Sequence, residues 1–143
     1  MPGNGEYLVM AFEFTIDPQA NLIRETWTGH VDLAQFYECA KQQWAHPDYR
    51  RQMNMVSDLR QATIDISEAD LAEFAEFMGK GEAVLRHAIV VKVDTGFHLA
   101  KVFAALSEST SPYWESLRVF LDYKNGEVWA KSGLPPHSAN AGP

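Results

Sequence analysis

A chain of 143 residues, 46% hydrophobic and 12% aromatic, is long enough to bury a core without disulfides or metal staples and short enough to form one domain. Its net charge of −7, from 12 basic and 19 acidic residues, repels phosphate backbones and anionic lipid surfaces, so nucleic acid is not an expected partner. The lone Cys39 excludes an internal disulfide, and no run reaches the ~18 apolar residues of a membrane span, so a cytoplasmic protein without membrane insertion is expected.

Residues 1–6 and the tail 132–143, "SGLPPHSANAGP", carry little to bury and are expected to be flexible, which leaves 7–131 as the folded domain. Within it "VMAFEFTID" and "NLIRETWTG" are strand-like runs joined by "DPQAN", where Pro18 and Asn21 suit a tight reversal, so an antiparallel hairpin is expected. "VDLAQFYECAKQQWAHP" follows with Leu33, Phe36, Tyr37, Ala40 and Trp44 at helical spacing and Pro47 as its stop. Cys39 inside this helix reads as a small buried hydrophobe.

"MNMVSDL" is the next strand, and Ser67 opens a helix whose apolar stripe is Leu71, Phe74, Ala75 and Met78, with Gly79 or Gly81 at its end. "HAIVVKV" is dense in β-branched residues, as in a strand buried on both faces of a parallel sheet. "TGFHLAKVFAAL" places Leu99, Val102, Phe103 and Leu106 on one helical face, and "SLRVFLD" is a last strand. The closing "YKNGEVWAK" holds Asn125-Gly126, a strong hairpin dipeptide, but "EVWAK" does not alternate and Asp122 can cap a helix, so a short helix is expected. The fold class is therefore α/β, a mixed, mostly parallel open sheet that starts with an antiparallel hairpin and is packed with helices.

This order of elements resembles the bacterial SpoIIAA-like family, relatives of the STAS domain of anti-sigma-factor antagonists. "SDLRQATIDISEADL" is similar to that family's third strand and the turn into its second helix. "RHAIVVKVDTGFHLAKVF" is similar to its fourth strand and following helix, and "RVFLDYKNGEVWAK" to its closing strand and tryptophan-bearing helix. The resemblance implies a STAS-like regulatory or protein-interaction domain, not an enzyme, working through a protein partner or a homodimer. In phosphorylatable antagonists the second helix opens with an Asp-Ser-Ser-Gly-like turn whose serine is the switch. The matching segment here is Asp65-Ile66-Ser67-Glu68-Ala69, so Asp65 and Ser67 match while the second serine and the glycine do not. Families of this fold also include members thought to bind lipid-like or other small apolar ligands.

Ser67 can thus be a regulatory phosphate acceptor or simply a helix cap, since Ser-x-x-Asp with Asp70 is an acidic variant of the capping box. Asp58, Asp94 and Asp122 fall near the C-terminal ends of three strands, the edge where open parallel sheets bind ligands and ions, and are the weak metal candidates. Short polar residues also end strands and cap helices, and no metal or cofactor is expected. The five histidines are scattered, and His98, at a helix start near that edge, is the one placed for acid–base chemistry. Aromatic residues exceed what one-face stripes need: Phe77 falls off the face of Leu71, Phe74 and Met78, and Phe97 begins the next helix. Phe74, Phe77, Phe97 and His98 are accordingly the interaction or ligand candidates, with Phe77 expected to be solvent-accessible. Three function classes follow: a non-enzymatic interaction or regulatory domain, a carrier or sensor of a small apolar ligand, and a weak metal-assisted hydrolase or phosphoryl-transfer enzyme at the Asp edge.

Overall fold

The computed structural model describes residues 11–81, 84–94, 98, 100–102 and 117–133. In chain order these form β1 (Phe12–Asp17), β2 (Leu22–Val31), α1 (Leu33–Trp44), β3 (Met53–Ile64), α2 (Glu68–Gly81), β4 (Val84–Val90), β5 (Leu117–Phe120) and α3 (Tyr123–Ser132). His98 and Ala100 to Val102 are also helical. The strands lie side by side in the order β1-β2-β3-β4-β5. The first pair is antiparallel and the other three pairs are parallel, as the pattern of the sequence requires.

The hairpin is held by its own turn. Asp17 Oδ1 accepts from the backbone N–H groups of Gln19 and Ala20, both at 3.1 Å, and Asn21 takes a left-handed φ of 54° that returns the chain into β2. α1 begins at a reciprocal cap: Asp32 Oδ1 accepts from Gln35 N at 3.1 Å while Gln35 Oε1 accepts from Asp32 N at 2.8 Å.

Alternation along the strands divides the sheet into two faces. One carries Ile23, Met53, Met55, Ile89 and Leu117, and packs with α1 and α2 into the larger core. The other carries Leu22, Val56, Ala88 and Val90, and is covered by Trp129 and Ala130 of α3. Leu22, Ile23, Val56 and Val90 have no solvent-accessible surface; each such side chain contributes about 1.5–3 kcal/mol of burial.

Asn125-Gly126 is inside α3 and forms no hairpin. Asp122 caps the helix by accepting from Asn125 N at 2.9 Å. Gly126 is buried at the sheet, where an added Cβ would stand 3.1 Å from Val90 Cγ2, so the glycine serves the close approach of helix to strand. Gly133 ends the helix at φ 75°, and Arg86 on β4 donates to the carbonyls of Ala130 and Lys131, both at 3.1 Å, so the last turn is satisfied from the sheet. α3 thus reaches Ser132, one residue past the expected end of the fold. Of the expected flexible ends, Ser132 and Gly133 belong to the end of α3, and residues 1–6 and the rest of 132–143 lie outside the described residues, as do Phe97, Leu99, Phe103 and Leu106.

Candidate functional site

Three neighbouring strands bring polar side chains to the centre of the face under α1 and α2. In β2 the alternation that points Ile23 and Trp27 at the helices also points Glu25 there; in β3 it does so for Ser57, and in β4 for His87. Glu25 is registered directly opposite Ser57, while His87 is opposite Met55, one step along the same face. Ser57 Oγ consequently lies 2.6 Å from Glu25 Oε1 and 2.7 Å from His87 Nε2, with all three residues buried.

Glu25 is met from every side. Oε1 accepts from Trp27 Nε1 at 3.0 Å and from Ser57 Oγ; Oε2 accepts from Gln43 Nε2 at 2.5 Å and from the Cys39 thiol at 3.6 Å. These four donors fill the lone-pair positions of a carboxylate, which accepts only. Ser57 has one proton and gives it to Glu25, so its oxygen accepts from the N–H at His87 Nε2. The imidazole is kept neutral: burial, opposed by the Glu25 charge, pushes its pKa down to about 4. Burial also pushes the Cys39 thiol up, and Glu25 adds to that.

Beside this group is a cavity of about 50 Å³, with Glu25, Ser57 and His87 as its floor and Trp27, Phe36, Met55, Phe74, Met78 and Ile89 among its walls. One water needs about 10–15 Å³ on this measure, so there is room for a few heavy atoms. Among the described residues that line it, none is Lys or Arg.

The candidates drawn from the sequence are dispersed. Ser67 is exposed and caps α2, accepting from Asp70 N at 3.1 Å. Phe74 is a cavity wall. Phe77 is half-buried rather than exposed: it stacks on Trp44 at 5.3 Å and meets Tyr37 edge-on at 4.7 Å. The aromatic surplus of α1 and α2 is therefore a seam between the helices, reinforced by Tyr37 Oη donating to Glu73 at 2.8 Å. Burial and the Glu73 charge raise the Tyr37 phenol to about 12. His98 is exposed, with its backbone N–H bonded to Asp94 O at 3.2 Å, and Phe97 lies outside the described residues.

The Asp edge has structural work. Asp58 takes a two-pronged contact from Arg60, both bonds at 2.9 Å, and Asp122 caps α3. Among the described residues, no group of three or more His, Cys, Asp or Glu side chains could hold a metal ion, so Asp58, Asp94 and Asp122 do not converge on one. No helix among them is long and apolar enough to cross a membrane.

The chain superposes on an uncharacterized protein of the DUF3478 family with a SpoIIAA-like fold, from Shewanella loihica PV-4, at a TM-score of 0.55 and 14% identity, covering 85% of this chain and 95% of that one. The fold is therefore SpoIIAA-like, a mixed α/β sheet of the kind expected from the sequence. No protein-family model and no curated relative matches the sequence.

Proposed function

We infer that the chain is a non-enzymatic ligand-binding domain of SpoIIAA-like fold, a carrier or sensor that holds a small, mostly apolar molecule between β2–β4 and the α1–α2 pair. The observation behind this is the cavity, whose apolar walls and convergent polar floor are the usual composition of a small-molecule site. A buried carboxylate is costly even when hydrogen-bonded, and well-packed apolar residues would stabilise the same core at least as well. A ligand contact gives the polar floor a use that stability alone does not.

Hydrolysis by Ser57 is disfavoured by the direction of its proton. A serine nucleophile gives that proton to a base and needs donors waiting for the oxyanion. Here Ser57 donates to Glu25, and Trp27 and Gln43, the indole and amide donors of the cavity wall, are engaged by the same carboxylate. The interaction role that the family resemblance implies would use an apolar contact surface. Among the described residues the large exposed apolar side chains are Leu85, Val93, Leu121 and Val128. Leu85 is near the start of β4 and Val93 lies beyond its end, so these two sit apart along the strand.

A fragment screen by thermal shift tests the reading. Small apolar molecules that occupy the cavity raise the midpoint saturably by mass action. Ala40, buried on the cavity wall, gives the control: Ala40→Leu fills the space and should abolish the rise. Hits that stabilise Ala40→Leu as well as the wild type would place the ligand elsewhere and overturn the proposal.

A further inference from the structure

The sign of the cavity's charge narrows the ligand. Glu25 is the carboxylate of the floor, no Lys or Arg is among the described lining residues, and burial keeps His87 uncharged. Three of the donors to Glu25 are well-formed; the fourth, the Cys39 thiol at 3.6 Å from Oε2, is weak. A stronger donor entering the cavity can take that place on Oε2. The rings of Trp27, Phe36 and Phe74 line the same cavity, joined in series with centroids 5.1 Å apart. Aromatic faces beside a carboxylate stabilise an organic cation through the ring quadrupole and a charge-assisted hydrogen bond together. An anionic ligand would meet a buried carboxylate of its own sign with no cation among the described lining residues.

We propose that the molecule held in the cavity is a small primary amine in its protonated form, its ammonium donating to Glu25 Oε2 and its apolar body against Trp27, Phe36 and Phe74. The proposal rests on the cavity being the ligand site. It predicts an order among molecules of one size: propylammonium first, 1-propanol next, propionate last.

Titration of the whole chain with these three probes and with xenon, followed through the methyl resonances of Met55, Met78 and Ile89, tests the order. Propylammonium is expected to bind at least about tenfold more tightly than 1-propanol, the margin of one charge-assisted contact in a buried site. In Glu25→Gln the preference for the amine should fall to about unity. Should that variant fail to fold, Phe74→Leu supplies the second arm, because removing a ring face should lower the amine preference while leaving the cavity apolar. Binding of xenon or 1-propanol with no preference for the amine overturns the amine assignment and leaves the small-ligand reading standing. If no probe reaches these methyls, xenon included, both fail.

Discussion

Gln43 on α1 donates to the Glu25 carboxylate on β2 across 2.5 Å, and both side chains are buried. The bond ties a helix to the sheet at a charged acceptor, where hydrogen bonds are worth more than between neutral groups. Gln43→Leu keeps the volume but leaves Oε2 with the thiol alone, and should cost about 2–3 kcal/mol in urea unfolding. Gln42→Leu is the control, since the Gln42 side chain bonds to its exposed helix neighbour Glu38 and not to Glu25. Equal stability of the two variants would show that the Glu25 bond contributes nothing.

His87 gives the fold a pH dependence with a definite sign. Its folded pKa is pushed down to about 4 from an ordinary 6.5, so between these values the unfolded chain binds a proton that the folded chain refuses. The stabilisation from a neutral His87 is complete above pH 6.5 and is lost as the pH falls through 4. It should amount to something on the order of 3 kcal/mol. Denaturant midpoints taken from pH 7.5 downward should decline through this window and decline less in His87→Gln. Parallel curves for the two proteins would place the titration on other groups.

Ser67 should behave as a cap. Ser67→Ala removes the acceptor for Asp70 N and is expected to cost ~1 kcal/mol, while Ser67→Asp, which also caps, should restore most of it. Unchanged stability in the alanine variant would sink the capping role and favour the phosphate-acceptor reading of this exposed serine.

Gly126→Ala sets helix propensity against packing. Alanine is the better helix former by about 1 kcal/mol, but its Cβ would stand 3.1 Å from Val90 Cγ2 and 3.4 Å from Phe120 Cδ1. Val90 is fully buried and β-branched, so it has little room to turn away. The net effect should be a loss of about 1 kcal/mol. In a Val90→Ala background the same change should become neutral or favourable, and a double-mutant cycle measures that coupling.

Much of the fold could be read from the chain because it is written in local signals. "DPQAN" turns where it should, the β-branched run "HAIVVKV" supplies the last four residues of β4, which starts earlier and ends at Val90, and Ser67 and Asp122 cap as their positions suggest. Asn125-Gly126 misleads only if its glycine is taken to serve a turn; it serves a helix pressed on a sheet. Phe77 is not surplus: it packs against Tyr37 and Trp44 of α1, while Leu71, Ala75 and Met78 of the same helix join the core with the sheet residues. The floor of the cavity was not legible, because Ser57 is 32 residues from Glu25 and 30 from His87 and no spacing rule joins them. One trace of it was present: in "LIRETW" strict alternation puts Glu25 inward between Ile23 and Trp27, a charged residue at a core position.

Register gives the same three polar side chains a second consequence. Side chains alternate along a strand, so a slip of β3 by one residue against β2 would turn Ser57 to the α3 face and bring Val56 or Asp58 opposite Glu25. Valine offers no hydrogen bond there, and aspartate would set a second carboxylate against the first on the same face. Either slip strands a buried carboxylate without its serine donor and separates His87 from its acceptor. Parallel strands rich in aliphatic residues are tolerant of misalignment, since one methyl-bearing side chain packs much like another. The Glu25, Ser57 and His87 contacts work as a vernier across β2, β3 and β4, accepting a single alignment of the central strands.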